Sequence, residues 1–533
     1  MAIEETSQNT STGSNRAVVL GIATIFLTYF TYSYFFQILL SALPRIIGKL
    51  ESAHLYDWAV SIPNLGLAFS MLLIGKFSNM YGRRTMLMIT LSICLVGAVW
   101  CALSDTYMTF IISRTFLAIG QGAIAPLCFA ALGDMFEAGA RSKWVGMLNI
   151  PSGILATFGP TLGGWFVDNP SLGWHYIFWC GVPLLVLSLV MAVWALPKHK
   201  RTTTPSIDGW GALLAAAASS TLILAFSMAG KIYPWGSLRV IGCFILSAIF
   251  WYLFIKTEGI AKEPIFDLQI LKNRSFIIIT IACLLSCFGM AGLMVYYPVL
   301  IQGIQKVSAT DNALIMTPGN ILMHFLGFPA GFILARTRKY KWMFLLGYGL
   351  TAAVMLGVLF FNADTKLIWG FLAFTMAGIG MGAIPTLNTL AVQYAVPRRF
   401  LSVATGGLFF CVMLGQAIAP AVLGSAQTMR YESALAARLP SELDEELRAS
   451  IRNPSVLLNE SAMVKLKESL GKSDPGGGAA LEKRTIEAIN LAFEDGLKII
   501  FIIGAIAMTL TFLSICLLPG LSIDAKPVED DGP

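Results

Sequence analysis

Two side chains that can carry charge near neutral pH lie deep inside long apolar runs of this 533-residue chain. Arg114 sits in Ile111-Ile112-Ser113-Arg114-Thr115-Phe116, and His324 ends Asn320-Ile321-Leu322-Met323-His324. A charge at that depth costs at least about 2.5 kcal/mol on insertion scales, so Arg114 is expected to face a cavity or a partner unless it snorkels outward. His324 has the intrinsic pKa of a proton carrier, although a lone histidine equally serves as a hydrogen-bonded packing residue. No Asp or Glu falls near the middle of an apolar run. Neutral polar and aromatic groups fill the gap. Tyr29, Tyr32, Ser33, Phe36 and Gln37 share one broad helical face at i, i+3, i+4 spacing, and Asn64, Asn149, Asn320 and Asn388 lie in other runs. Such a face accepts flat apolar ligands, and its rings can hold cations without a carboxylate. The same tyrosines also suit packing or an interfacial belt. With Arg114 at hand and no buried acid, neutral or anionic amphipaths fit at least as well as cations. No nucleophile–base pair, phosphate loop or metal cluster occurs at this depth, so the residues point to binding rather than catalysis, with no cofactor and no metal. The nine cysteines all lie inside apolar runs and read as small packing residues.

Positioning these groups falls to membrane helices. The chain is 56% hydrophobic and 13% charged, with mean hydropathy +0.72, whereas soluble domains carry about a quarter charged residues. Apolar runs of roughly 20 residues recur throughout, and the short alternation of a β-barrel is absent. Runs near 17–43, 57–74, 85–104, 107–133, 144–167, 176–196, 209–229, 237–256, 275–303, 312–334, 342–362, 367–390, 402–425 and 496–518 predict about fourteen transmembrane helices in an all-α integral membrane protein. Placing the N-terminus inside puts Lys76, Arg83, Arg84, Arg141, Lys143, Arg336, Arg338, Lys341, Arg398 and Arg399 with further basic residues in the cytoplasm. Fewer remain outside: Arg45, Lys49, Lys231, Arg239, Lys306 and Lys366. By the positive-inside rule both termini are then cytoplasmic. The net charge of +7 is spread over these short loops and does not indicate nucleic-acid binding. The polar tail 1–16 has no signal-peptide pattern. The stretch 426–495 reads as a solvated outer loop, with a helix-compatible Ser441–Arg452, a break at Asn453-Pro454 and a linker at Pro475-Gly476-Gly477-Gly478.

Three motifs carry more specific information. Gly75-Lys76-Phe77-Ser78-Asn79-Met80-Tyr81-Gly82-Arg83-Arg84 joins the second and third runs, with Gly75 and Gly82 expected to let the backbone turn. Gly159-Pro160-Thr161-Leu162-Gly163-Gly164 in the fifth run is expected to interrupt a helix and allow close approach. Asp134 and Arg141 follow the fourth run. Weak echoes recur later, Gly331 to Lys339 after the tenth run and Gly415 to Pro420 in the thirteenth. They fit two six-helix bundles, 17–200 and 273–518 (the latter with the 426–495 loop), separated by two inserted helices in 201–272 and flanked by tails 1–16 and 519–533. Parallel halves of this kind are what alternating-access carriers use.

The first motif resembles the G-x-L-x-D-R-x-G-R-R signature of the major facilitator superfamily, with Asn79 at its acidic position. Gly146, Gly159, Pro160, Gly163 and Gly164 resemble the antiporter signature G-x8-G-x3-G-P-x-x-G-G, with Leu155 at its middle glycine. Trp174-His175-Tyr176-Ile177-Phe178 is similar to the opening of span 6 in the fourteen-span drug:proton antiporter branch. The resemblance implies a major facilitator fold and a secondary active exporter of amphipathic small molecules, drugs or metabolites, exchanging them for protons. It implies a gating patch of Gly75, Lys76, Asn79, Gly82, Arg83, Arg84, Asp134 and Arg141, with Asp134 pairing Arg83 or Arg84 when the cytoplasmic side closes. Asn79 is expected to weaken that latch, since an amide offers no charge to a helix N-terminus. Arg114 and His324 are the candidates for proton coupling, and Gly159–Gly164 is expected to shape the interface between bundles. The branch often carries an aspartate in span 1, where this chain has Phe35. A specific metabolite, siderophore or lipid exporter, or a facilitator without proton coupling, therefore stays open. The implied setting is a bacterial inner membrane and the implied partners are substrate, protons and lipid, with the protein monomeric or joined to an adaptor protein.

Overall fold

A computed structural model describes residues 2–50, 56–169, 172–196, 209–230, 233–260, 266–305, 307–362, 365–439, 451 and 478–520. Among them there is no strand, only an isolated bridge between Ala229 and Tyr233. The helices are α1 Ala2–Lys49, α2 Tyr56–Tyr81, α3 Arg83–Ala102, α4 Tyr107–Met135, α5 Ala138–Met147, α6 Asn149–Asp168, α7 His175–Ala195, α8 Gly209–Met228 and α9 Leu238–Ile260. They continue as α10 Arg274–Ala291, α11 Tyr297–Gly303, α12 Ala309–Phe325, α13 Gly327–Thr337, α14 Lys341–Val358, α15 Leu367–Gly382, α16 Ile384–Ala395, α17 Leu401–Arg438 and α18 Gly478–Cys516. Among the described residues, twelve helical stretches are long and apolar enough to cross a membrane, and the bent pair α12–α13 brings this to thirteen. The expected fifth span, carried by α5 and α6, is the remaining one.

Helices before residue 200 pack on one another: α1 on α4, α6 and α7, α2 on α4, and α3 on α4 and α7. Those after 273 form a second group, with α10 on α17 and α18, α12 on α15, and α14 on α15 and α18. The α8–α9 hairpin lies outside both, and α8 touches α2 and α17 where the groups meet. The groups join where α2 meets α17, α5 meets α13, and α6 meets α12.

Sequence explains the local breaks. Thr106 caps α4, its hydroxyl accepting from Thr109 N–H in a reciprocal box. The Asn273 carboxamide oxygen accepts from Phe276 N–H at the start of α10. Ahead of Pro298 the helix widens into a π turn, Gly292–Tyr296. The expected single span 312–334 is bent by 41° at Leu326.

Three expectations are corrected. The stretch Gly75 to Arg84 is not a loop: α2 runs to Tyr81, and the whole turn is Gly82 at φ +83°. Pro160 does not interrupt its helix, and the break lies upstream at Leu148. Residues 426–438 and 478–495 continue α17 and α18 rather than forming loop, and they are held together by an Arg438–Asp495 ion pair of 2.8 Å. The tail 1–16 is helical from Ala2, continuing α1. Lys198, Lys200, Arg201 and the Asn453-Pro454 break lie outside the described residues.

Candidate functional site

A partly open cavity of about 240 Å³ lies between the two helix groups. α1 contributes Phe35, Phe36, Leu39 and Leu43, α2 contributes Asn64 and Leu67, α4 contributes Arg114, Ala118 and Gln121, and α17 contributes Met413, Gln416 and Ala417. Helical rise places Arg114 about 10 Å and Gln121 about 21 Å along α4, which is about 42 Å long. The cavity therefore spans from mid-depth toward the end of the molecule where α4 begins. None of its lining residues is Asp or Glu. Arg114 Nη1 donates to the Ala59 carbonyl at 2.5 Å, which ties α4 to the first turn of α2.

The opposite end, which carries the arginine pairs, is closed by contacts between the groups. A Cβ on Gly75 would stand 2.7 Å from Val403 Cα, and one on Gly406 would stand 2.8 Å from the Met71 carbonyl, so backbone meets backbone where α2 crosses α17. Gly146 and Gly331 do the same between α5 and α13, a Cβ on Gly146 lying 3.0 Å from Gly331 Cα. Four polar links reinforce these crossings. Asn149 Nδ2 donates to Thr386 Oγ1 at 2.8 Å, and Gln393 Nε2 to the Phe129 carbonyl at 3.1 Å. Ser142 and Tyr394 hydroxyls lie 2.8 Å apart, and Asn79 Nδ2 donates to the Arg399 carbonyl at 2.9 Å. Beneath them Arg83 Nε meets Asp134 Oδ2 at 2.8 Å, while Arg84 donates to the Val193 carbonyl. Arg141 is buried, stacks 5.6 Å over Tyr394 and donates weakly to the Phe136 carbonyl. Burial lowers its pKa from the usual value, but a guanidinium stays cationic throughout the physiological range.

The residues singled out from the sequence divide sharply. Phe36, Asn64 and Arg114 line the cavity. Tyr32 stacks on Phe36 and Tyr29 stacks on Tyr32, centroids 5.9 and 5.6 Å apart, and Tyr29 packs edge-on to Phe129, which meets Phe409 across the seam at 5.4 Å. The aromatic face thus runs from the cavity to the closure. The others are placed away from the cavity lining. Gln37 is not in the cavity lining, and its Cβ backs onto Gly159. Asn149 serves the closure, and Asn388 is buried against the Tyr348 hydroxyl, 3.4 Å from Nδ2. His324 Nδ1 donates to the Asn320 carbonyl at 2.8 Å within its own helix, and neither residue lines the cavity. Ser33 is buried in α1, outside the lining. Gly159 and Gly164 face Gln37 and Arg45 of α1, so of the antiporter motif Gly146 is the residue that reaches the interface. Gly163 is buried in α6, and Pro160 is exposed on the same helix. Lys76 is half-buried near the end of α2. Gln121 and Gln416 were missed. Their signal, an amide within an apolar helix, is visible in the sequence, but its direction is not.

Two groups of helices around a shared cavity, closed at one end by backbone-to-backbone crossings, have the build of a membrane transporter rather than an enzyme. The Major Facilitator Superfamily model matches residues 25–420, and the chain belongs to that family. It is 26% identical over 501 residues to the multidrug transporter protein MdtP of Bacillus subtilis (strain 168), covering 92% of this chain and 91% of that protein. Multidrug resistance protein 3 of the same organism is 28% identical, with 75% of this chain and 77% of that protein covered. Among solved structures, the proton:xylose symporter XylE matches with TM-score 0.57 at 13% identity over 96% of this chain and 98% of that one. That likeness concerns the fold. The chain is a multi-pass membrane transporter.

Proposed function

We propose that this protein exports amphipathic small molecules across a bacterial inner membrane by alternating access, as a monomer and in exchange for protons. In this reading residues 17–200 and 273–518 are the two rocking bundles, 201–272 holds the inserted pair, and the tails 1–16 and 519–533 are cytoplasmic. The arginine-rich end is assigned to the cytoplasm because Lys and Arg concentrate there, so the described state faces outward. One observation carries the proposal: a mid-depth cavity walled by both bundles, mixing aromatic, aliphatic, amide and guanidinium groups, above a closed arginine-rich end. Similarity to MdtP and multidrug resistance protein 3 supports drugs as the exported class. Gly75, Lys76, Asn79, Gly82, Arg83, Arg84, Asp134 and Arg141 would act as the inner gate.

The test uses full-length protein in liposomes with an imposed pH gradient and a panel of cationic, neutral and anionic fluorescent amphipaths. Uphill movement of at least one class is expected; no movement of any class rejects export. A second reading, a facilitator without proton coupling, is favoured by the absence of any acid among the cavity-lining residues. Substrate-dependent proton movement that disappears in His324→Ala would place the relay at His324. Flux that ignores the pH gradient would leave the facilitator.

A further inference from the structure

Gln121 is 5% exposed and lines the cavity at the middle of α4, yet its Nε2 meets no acceptor among the described residues. A buried amide donor left without a partner is costly, and native proteins rarely keep one unless something else supplies the acceptor. Water is one candidate, but the surrounding wall is mostly carbon, with Leu67 of α2, Ala118 of α4 and Met413 and Ala417 of α17 in the lining. Gln416, on α17 of the second group, and Asn64, on α2, are the other amides in the lining, and Gln416 is exposed. The two glutamines thus come from the two helix groups and share one largely apolar cavity.

We propose that Gln121 is a specificity-determining residue whose Nε2–H donates to a carbonyl-type oxygen of an uncharged, flat, otherwise apolar ligand. This rests on the export reading for the cavity's use, but it names a substrate class that the reading leaves open. Apolar walls hold such a molecule with little regard to outline, whereas the buried Gln121 donor sets its orientation and rejects analogues that leave the amide unpaired. A pocket of this kind discriminates by the presence of an acceptor more than by size. Arg114, about two turns away on α4, is occupied in holding Ala59 and is not asked to make this contact.

The test compares fluorenone with fluorene, which differ by a carbonyl in place of a methylene. Thermal unfolding of the purified full-length protein in detergent is followed at increasing ligand concentration, because a ligand that binds the folded state raises its midpoint. Fluorenone is expected to give the same stabilisation as fluorene at about a tenfold lower concentration in the wild type. In Gln121→Leu the two curves are expected to coincide near the fluorene position, and the unchanged fluorene response reports that the variant is folded. Equal responses in the wild type overturn the proposal without any variant, as does stabilisation by neither ligand. A fluorenone preference that survives Gln121→Leu shows that another group is the donor and overturns it too. Failure of the export reading would show separately, as absence of uphill flux in liposomes.

Discussion

Asn79 stands where the superfamily motif has an acid, and it uses both atoms of its amide. Oδ1 accepts from Arg83 Nη1 at 2.8 Å, and Nδ2 donates to the Arg399 carbonyl at 2.9 Å, on the far side of the seam. A carboxylate could take the first contact but would set oxygen against oxygen in the second. The weaker latch expected from missing charge is therefore offset by a donor that an acid lacks, and Asn79→Asp is not expected to tighten closure. Asn79→Ala removes both contacts. At about 1 kcal/mol for a hydrogen bond of this kind, the population open at the arginine-rich end should rise roughly fivefold. Spin labels at exposed Thr85 and Lys339 would read it as growth of a longer distance, and an unchanged distribution would remove Asn79 from the latch. The Arg83–Asp134 pair is partly exposed, with side-chain accessibilities of 18% and 42%, so its worth is expected to stay below about 1 kcal/mol.

At the scale of elements, glycines decide where helices can meet. Gly75 on α2 and Gly331 on α13 were matched as echoes in the sequence, and both lie at backbone crossings, one with α17 and the other with α5. The turns that follow also correspond: Gly82 at φ +83° and Arg338 at φ +56° both leave the right-handed helical region. At Gly75 the obstacle to a side chain is backbone, which cannot rotate away. Gly75→Ala should therefore force α2 and α17 apart, costing about 1–3 kcal/mol of the closed arrangement and lowering transport. Gly242 in α9 has nothing within 4 Å of a Cβ, so Gly242→Ala should leave transport unchanged and raise stability by up to about 1 kcal/mol. Comparable loss in both variants would mean that helix propensity, not close approach, is what the glycines supply. Within the motif, Gly159 gives α6 its close fit to α1, a Cβ there lying 3.1 Å from Gln37 Cβ, a contact inside one helix group that the motif alone does not separate from a contact between groups.

For the whole molecule, one end closed beneath a cavity implies that transport requires the crossing at Ser142 and Tyr394 to part. In a cysteine-free background, Ser142→Cys with Tyr394→Cys joined by a short bis-maleimide should stop flux. Met413→Cys in the cavity should remain reachable by an impermeant maleimide from the side opposite the arginine-rich end. Continued flux through the cross-linked protein would show that closure at this end is not part of the cycle. Helix α8 touches both α2 and α17 where the groups meet, and neither α8 nor α9 contributes to the cavity lining.

Hydropathy and charge act locally along a chain, so the sequence alone determined the membrane helices, the concentration of arginine at one end and the family. Glycine at 82 and the echo at 331 were legible for the same reason, because a turn or a crossing needs a missing side chain at that residue. Rotation of each helix about its own axis is different, since it depends on which neighbours press on it. An i, i+3, i+4 pattern grouped Tyr29, Tyr32, Phe36 and Gln37 as one stripe. Only the packing of α6 turned Gln37 toward Gly159, leaving Phe36 in the cavity. Asn149 and Asn388 went to hydrogen bonds with Thr386 and Tyr348, which lie hundreds and tens of residues away. Gln121 became the unpartnered amide of the cavity because α17, nearly three hundred residues later, closes an apolar wall around it. Helix identity is a sum over neighbours in sequence, whereas a helix's facing is settled by neighbours in space, and that is what the tertiary structure decided.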